Sequence, residues 1–309
     1  MIKKSLLMLL LVYISTVAYA QELYIKTFGN KTDKPIIFLH GGPGYNAASF
    51  ESTTASLLAT KGFFVIVYDR RGEGRSLDAD AEYNFEQTFE DLNTLYKKFA
   101  LQKATLIGHS FGGIVATLFA EKYAEKINTI ILVGAPVSLQ ESFKNIIQKC
   151  TQTYTEKRDS ANLYYINLLK NVDTASIEYS SYCFGHAMQN GFYSTKTPTP
   201  EAKIIGASLK KDSLYKYVSK MTVQPPQKFW ENESYTTINL TDAIKNLIHK
   251  KVVVFGLYGK EDGLYSPQQI DNLSNILGKE NVQYLDNCSH SVFIDQQAIF
   301  IGSISKWIK

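Results

Sequence analysis

Ala104-Thr-Leu-Ile-Gly108-His109-Ser110-Phe111-Gly112-Gly113-Ile-Val-Ala116 reads as three pieces in a row. Ala104 to Gly108 is a near-continuous apolar run, as a strand covered on both faces requires. Gly108-His109-Ser110-Phe111-Gly112 is a G-x-S-x-G turn, and the stretch after it carries the small residues Gly112, Gly113, Ala116 and Ala120 of a helix packed close to a sheet. A glycine-rich turn without chemistry has the same five letters. The order strand, sharp turn, helix is what a nucleophile elbow needs, because glycines permit the turn and the strained turn lifts the serine hydroxyl above the sheet.

Outward from this elbow the pattern repeats. Pro35-Ile-Ile-Phe-Leu-His40, Phe63-Phe-Val-Ile-Val-Tyr-Asp69, Thr129-Ile-Ile-Leu-Val-Gly134 and Val252-Val-Val-Phe-Gly256 are further buried-strand runs, with a last strand over Val282 to Leu285. Apolar residues at Phe89, Leu92, Leu95, Tyr96 and Phe99 predict a helix over 88–99, opened by a Thr88-x-x-Asp91 capping box. The alternation predicts an α/β domain with a mostly parallel sheet flanked by helices. It breaks after Ala135-Pro136. From 137 to 235 the chain is rich in Tyr, Lys and Asn, with helical periodicity and no buried-strand run, which predicts a helical cap inserted over the carboxyl edge of the sheet, where such sheets bind ligands. Thr241-Asp242 is expected to cap the helix that leads back to Val252, and a final helix is expected over 295–308.

A serine hydroxyl needs a base, and the base needs an orienting carboxylate. Among five histidines, His40 lies in a glycine loop, His109 inside the elbow, His186 in the cap and His249 on an amphipathic helix. His290, just past the last strand, is the candidate base. Asp262, in the turn after the strand that ends at Gly256 to Tyr258, is the candidate acid, with Glu261 and Asp286 in reserve. Ala135-Pro136-Val137-Ser138, after the strand ending at Gly134, offers no carboxylate. His40-Gly41-Gly42-Pro43-Gly44 is placed to supply half of an oxyanion hole, so the N–H groups of Gly42 and Phe111 are the expected donors.

Lys plus Arg (33) minus Asp plus Glu (29) gives +4, and removing Lys3 and Lys4 with a leader brings this near +2, too weak and too scattered for a phosphate-tracking surface. Nucleic acid is therefore excluded as a partner. Cys150, Cys183 and Cys288 have neither zinc-site nor disulfide-scaffold spacing, although export would place Cys150 and Cys183 where they can pair. Residues 1–20 run from Lys3 and Lys4 through an apolar stretch to Ala18-Tyr19-Ala20, the layout of a signal peptide cleaved after Ala20. The expectation is export to a periplasm or the exterior, with no stable membrane anchor after cleavage.

HGGPG at 40–44, Asp69-Arg70-Arg71-Gly72-Glu73-Gly74-Arg75-Ser76 and the elbow together make the chain from Glu22 to Lys309 resemble an α/β-hydrolase. More narrowly it resembles the proline iminopeptidase (prolyl aminopeptidase) branch, which typically carries HGGPG followed by D-x-R-G-x-G-x-S. The resemblance implies an α/β-hydrolase core over 21–136 and 236–309 beneath a cap over 137–235. It also implies a Ser-Asp-His triad of Ser110, Asp262 and His290, with no metal or cofactor, that releases N-terminal residues from short peptides. Acidic cap residues hold the substrate's amine in that branch, and Glu231 beside Trp230 resembles a Trp-Glu pair of its cap, with Glu178 and Glu233 as further candidates. The elbow departs from the branch: GHSFGG stands where G-G-S-W-G is typical, and GHSFGG is common among esterases and lactonases. A carboxylesterase or lactonase is thus the alternative, and a non-catalytic binder of small ligands is the rival from another class.

Overall fold

The computed structural model describes residues 22–308, so the leader expected over 1–20 lies outside the described residues. Within them, seven strands form one sheet: β1 (Ile25–Phe28), β2 (Lys34–Leu39), β3 (Phe63–Tyr68), β4 (Ala104–His109), β5 (Ile127–Val133), β6 (Val253–Gly259) and β7 (Val282–Leu285). The order is β1-β3-β2-β4-β5-β6-β7, with β1 antiparallel at the edge and every other pairing parallel. Each apolar run feeds two cores by strict alternation. Ile37 and Leu39 of β2, with Phe64, Ile66 and Tyr68 of β3, face one core, while Ile36, Phe38, Phe63, Val65 and Val67 face the other.

Helices cover both faces. α1 (Ala48–Phe50) and α2 (Ser56–Ala59), joined by a π turn, lie on the second core's side with α13 (Val292–Asp295) and α14 (Gln297–Trp307). α3 (Phe85–Lys98), α4 (Phe111–Lys122), α11 (Thr241–His249) and α12 (Pro267–Leu277) cover the first. The excursion between β5 and β6 is helical before α11: α5 (Leu139–Glu156), α6 (Ser160–Leu168), α7 (Ile177–Gln189), α8 (Pro200–Leu209), α9 (Tyr215–Val218) and α10 (Gln224–Glu233). It leaves and returns at one neck, where Leu240 N–H donates to Val137 O at 2.7 Å beside the Ser138–Asn239 bridge. Tyr217 O accepts from the Asn46 side chain and Thr222 N–H donates to Gly44 O, which ties the excursion over the carboxyl edge beside the glycine loop.

Three helix boundaries differ from the sequence expectation. α3 begins at Phe85 because Asn84, in extended backbone, accepts Gln87 N–H with its side chain; Thr88 lies inside the helix, and Asp91 pairs with Arg71. That earlier start lets Phe85 and Phe89 both reach the core. α11 is preceded by Asn239, whose side chain accepts Thr241 N–H, so Thr241 and Asp242 are helical residues and not caps. The last helix is broken at Gln296 into α13 and α14.

Candidate active site

Ser110 stands between β4 and α4 with φ 52° and ψ −123°, a conformation that L-residues rarely adopt and that only surrounding structure can hold. Its N–H donates to Val133 O at 3.0 Å and its carbonyl accepts Gly113 N–H at 2.8 Å. The glycines serve proximity as much as turning. A Cβ on Gly112 would sit 2.1 Å from Leu39 O, and one on Gly108 would sit 2.5 Å from Gly112 O, so any side chain would push α4 off the sheet and tilt the serine.

His290 follows β7, and its Nδ1 donates to Asp262 Oδ2 at 2.8 Å, because a carboxylate can only accept. That leaves Nε2 with its lone pair free. Asp262 is 1% exposed, and its second oxygen accepts Leu264 N–H at 3.0 Å, which pins the carboxylate plane. The reserve candidates turn elsewhere. Asp286 pairs with Lys260 at the surface, and Glu261 accepts from Thr195, Lys196 and Thr197 in the loop between α7 and α8. Burial opposes ionisation of Glu261, but those donors outweigh it and hold the carboxyl below its ordinary value. Ser110 and His290 line one cavity, with no hydrogen bond between the hydroxyl and the imidazole.

His109 has a part that the sequence reading did not anticipate. Its Nε2–H donates to the carbonyl of His290 at 3.1 Å, and the two rings lie 4.9 Å apart. Burial and the neighbouring imidazole hold its pKa near 3, so it stays a neutral donor that clamps the backbone of His290. Only its place next to the serine hinted at this.

The glycine loop faces Ser110: a Cβ on Gly41 would lie 3.2 Å from Ser110 Cβ. Gly42 has φ +124°, open to glycine alone, and lines the cavity with Phe111. Among the described residues neither Gly42 N–H nor Phe111 N–H has an acceptor, and Phe111, first in α4, points its N–H out of the helix start. Arg70 donates to the carbonyls of His40 and Gly41 and pairs with Glu73, whose carboxylate accepts Gly44 N–H at 2.7 Å. The Arg70–Glu73 pair is buried and holds the loop from beneath. Burial pushes the Glu73 carboxyl up, with Arg70 opposing.

The cavity has a volume of about 320 Å³ and is closed above by Phe184, Met188, Tyr193, Val218 and Met221 from the excursion. Among the described residues, no Asp, Glu, Lys or Arg lines it. Glu231 is a correction to the sequence expectation: it sits on the exposed face of α10, paired with Lys228 at 2.7 Å and bonded to Gln227, and does not reach the cavity. Trp230 instead donates to Ala175 O. Glu178 is exposed, and Glu233 accepts Phe85 N–H at the start of α3. Cys150, Cys183 and Cys288 are buried free thiols, and burial holds Cys150 at about 11 and Cys183 at about 12.

The family model of the alpha/beta hydrolase fold matches residues 34–297. The chain belongs to the α/β-hydrolase family. Relatives of this hydrolase include the proline iminopeptidase of Lactobacillus acidophilus, 23% identical over 292 residues, which cover 93% of this chain and 94% of that one. The expected resemblance to that branch is thereby borne out. Similar solved structures include a proline iminopeptidase-related protein from Thermus thermophilus (TM-score 0.62, 18% identity, 92% of each chain). An esterase from Exiguobacterium antarcticum is also similar (TM-score 0.60, 18% identity, 93% of this chain and 95% of that one).

Proposed function

We propose that this hydrolase cleaves carboxylic esters of neutral, largely apolar acids through Ser110, His290 and Asp262. Ser110 Oγ attacks the carbonyl carbon while His290 Nε2 takes its proton, and the negative charge that forms on the carbonyl oxygen is met by the N–H groups of Gly42 and Phe111. His290 returns the proton to the departing alkoxide. A water then enters by the same route, and the acid leaves Ser110 free. Asp262 keeps the imidazole proton on Nδ1 and stabilises the imidazolium.

The observation that carries the ester reading is a cavity that reaches Ser110 and His290 and in whose lining, among the described residues, there is no Asp, Glu, Lys or Arg. A peptide's N-terminal ammonium entering it would lose its water with no carboxylate to replace it, an uncompensated cost for a charged group. Proline iminopeptidase activity is the second reading, supported by the relatives and by HGGPG at 40–44. The test is kcat/KM for a nitrophenyl pentanoate beside proline and alanine anilides, with Ser110→Ala as blank. Ester turnover with negligible anilide turnover is the expected result; efficient anilide turnover that is lost when the amine is blocked would replace it with the second reading. Export with cleavage after Ala20 belongs to the same proposal and is supported by the leader's layout. N-terminal sequencing of the protein from culture fractions checks it, with Gln21 expected first.

A further inference from the structure

Buried tyrosine hydroxyls usually find a partner, and around this site several do. Tyr265 donates to Gly134 O at 2.7 Å and Tyr258 to Ala135 O at 2.8 Å. Three others in the cavity lining do not: Tyr45, Tyr193 and Tyr235 have no hydrogen-bond partner for their hydroxyls among the described residues. Nor are the Tyr193 and Tyr235 oxygens sealed in protein, as the unpartnered Tyr68 hydroxyl is, and Tyr45 is 37% exposed. All three side chains line the cavity.

The three come from different parts of the chain and line the same cavity as Ser110. Tyr45 follows the glycine loop. Tyr193, from the excursion, sets its ring edge-on to His290 at 5.0 Å. Tyr235, 4% exposed at the neck, packs its ring against Phe111 at 5.5 Å. Burial raises the pKa of all three. They therefore remain O–H donors throughout the range in which such an enzyme is assayed. Apolar surface from Leu139, Phe184, Met188, Met221 and Leu264 surrounds them. Polar groups placed singly in an apolar pocket are how small-ligand sites fix orientation.

We infer that Tyr193 and Tyr235, with Tyr45 at the mouth, form a hydrogen-bonding subsite for a second carbonyl oxygen of the substrate, so that the preferred ester carries a keto or amide group beyond the scissile bond. This rests on the ester reading above. A site built to donate to an oxygen penalises the analogue that lacks it, since the donors are then left unmade.

The experiment compares nitrophenyl levulinate and nitrophenyl N-acetylglycinate with nitrophenyl pentanoate, three esters of equal chain length of which only the first two carry the extra carbonyl. It is run on the wild type and on Tyr193→Phe and Tyr235→Phe. The ratio of kcat/KM, carbonyl ester over plain ester, is expected to fall about tenfold in each variant for at least one carbonyl ester. Intrinsic reactivity cancels in that comparison. The same contrast is read without turnover as Kd of Ser110→Ala for the corresponding methyl esters, with and without the Tyr→Phe changes. Unchanged ratios in both variants, with unchanged Kd contrasts, would overturn the subsite while leaving ester hydrolysis intact. Absent hydrolysis of all three esters together with a preserved Kd contrast would instead overturn the ester reading and keep the subsite.

Discussion

Asp262→Asn isolates the one carboxylate bonded to His290. The side chain is isosteric, so its oxygen keeps the 3.0 Å bond from Leu264 N–H. The other position, now an amide nitrogen, meets His290 Nδ1 at 2.8 Å and can only donate. The imidazole must then hold its proton on Nε2, where the lone pair is needed to take the proton of Ser110. Loss of the correct tautomer costs about ten-thousandfold in kcat in serine hydrolases of this design, or about 5 kcal/mol at 1.36 kcal/mol per factor of ten. Stability should move by about 1 kcal/mol or less, since the buried charge and its need for compensation leave together. The assay is kcat on nitrophenyl pentanoate and the rate of fluorophosphonate labelling of Ser110, beside urea melts. Activity within tenfold of wild type in a variant that melts normally would refute the assignment and reopen Glu261 and Asp286.

Gly112→Ala should destabilise the fold by about 2–3 kcal/mol in urea unfolding, because its methyl would meet Leu39 O at 2.1 Å and backbone cannot swing aside. Arg70→Met should cost about 3–5 kcal/mol by removing the ion-pair partner of buried Glu73. Adding Glu73→Leu should recover much of that stability but not kcat, since the glycine loop's carbonyls still lack their donor; recovery of both would deny Arg70 a positioning role. Burial raises Asp295 to about 6 against about 4 in the unfolded chain. Between those values the native state holds the extra proton, so stability falls as pH rises through the window. Asp295→Asn should flatten that fall by about 2 kcal/mol between pH 4 and pH 6, read from denaturation midpoints.

The helix caps show where local reading stopped. Thr88 and Asp91 have the spacing of a capping box, yet Asn84 caps the helix, because the earlier start buries Phe85 and pairs Asp91 with Arg71. In the sequence His109 is only a residue inside the elbow, and its bond to the carbonyl of His290, 181 positions away, follows only from two loops meeting at one sheet edge. In the sequence the Asp69 to Ser76 segment carries part of the family resemblance and nothing more. Folded, it also places Arg70 and Glu73 beneath His40 to Gly44.

What the amino-acid order determined by itself is what short-range chemistry can encode: apolar runs that must be buried strands, the glycines of an elbow around Ser110, and the placement of candidate acid and base after later strands. Those features depend on neighbours within a few residues. The tertiary structure decided which carboxylate meets His290, because Glu261, Asp262 and Asp286 share a sheet edge and differ only in where their loops turn. It also turned Glu231 outward and brought Tyr45, Tyr193 and Tyr235 to one cavity. Side-chain direction on a helical cap depends on how that cap docks, and docking is set by long-range packing that no local pattern records.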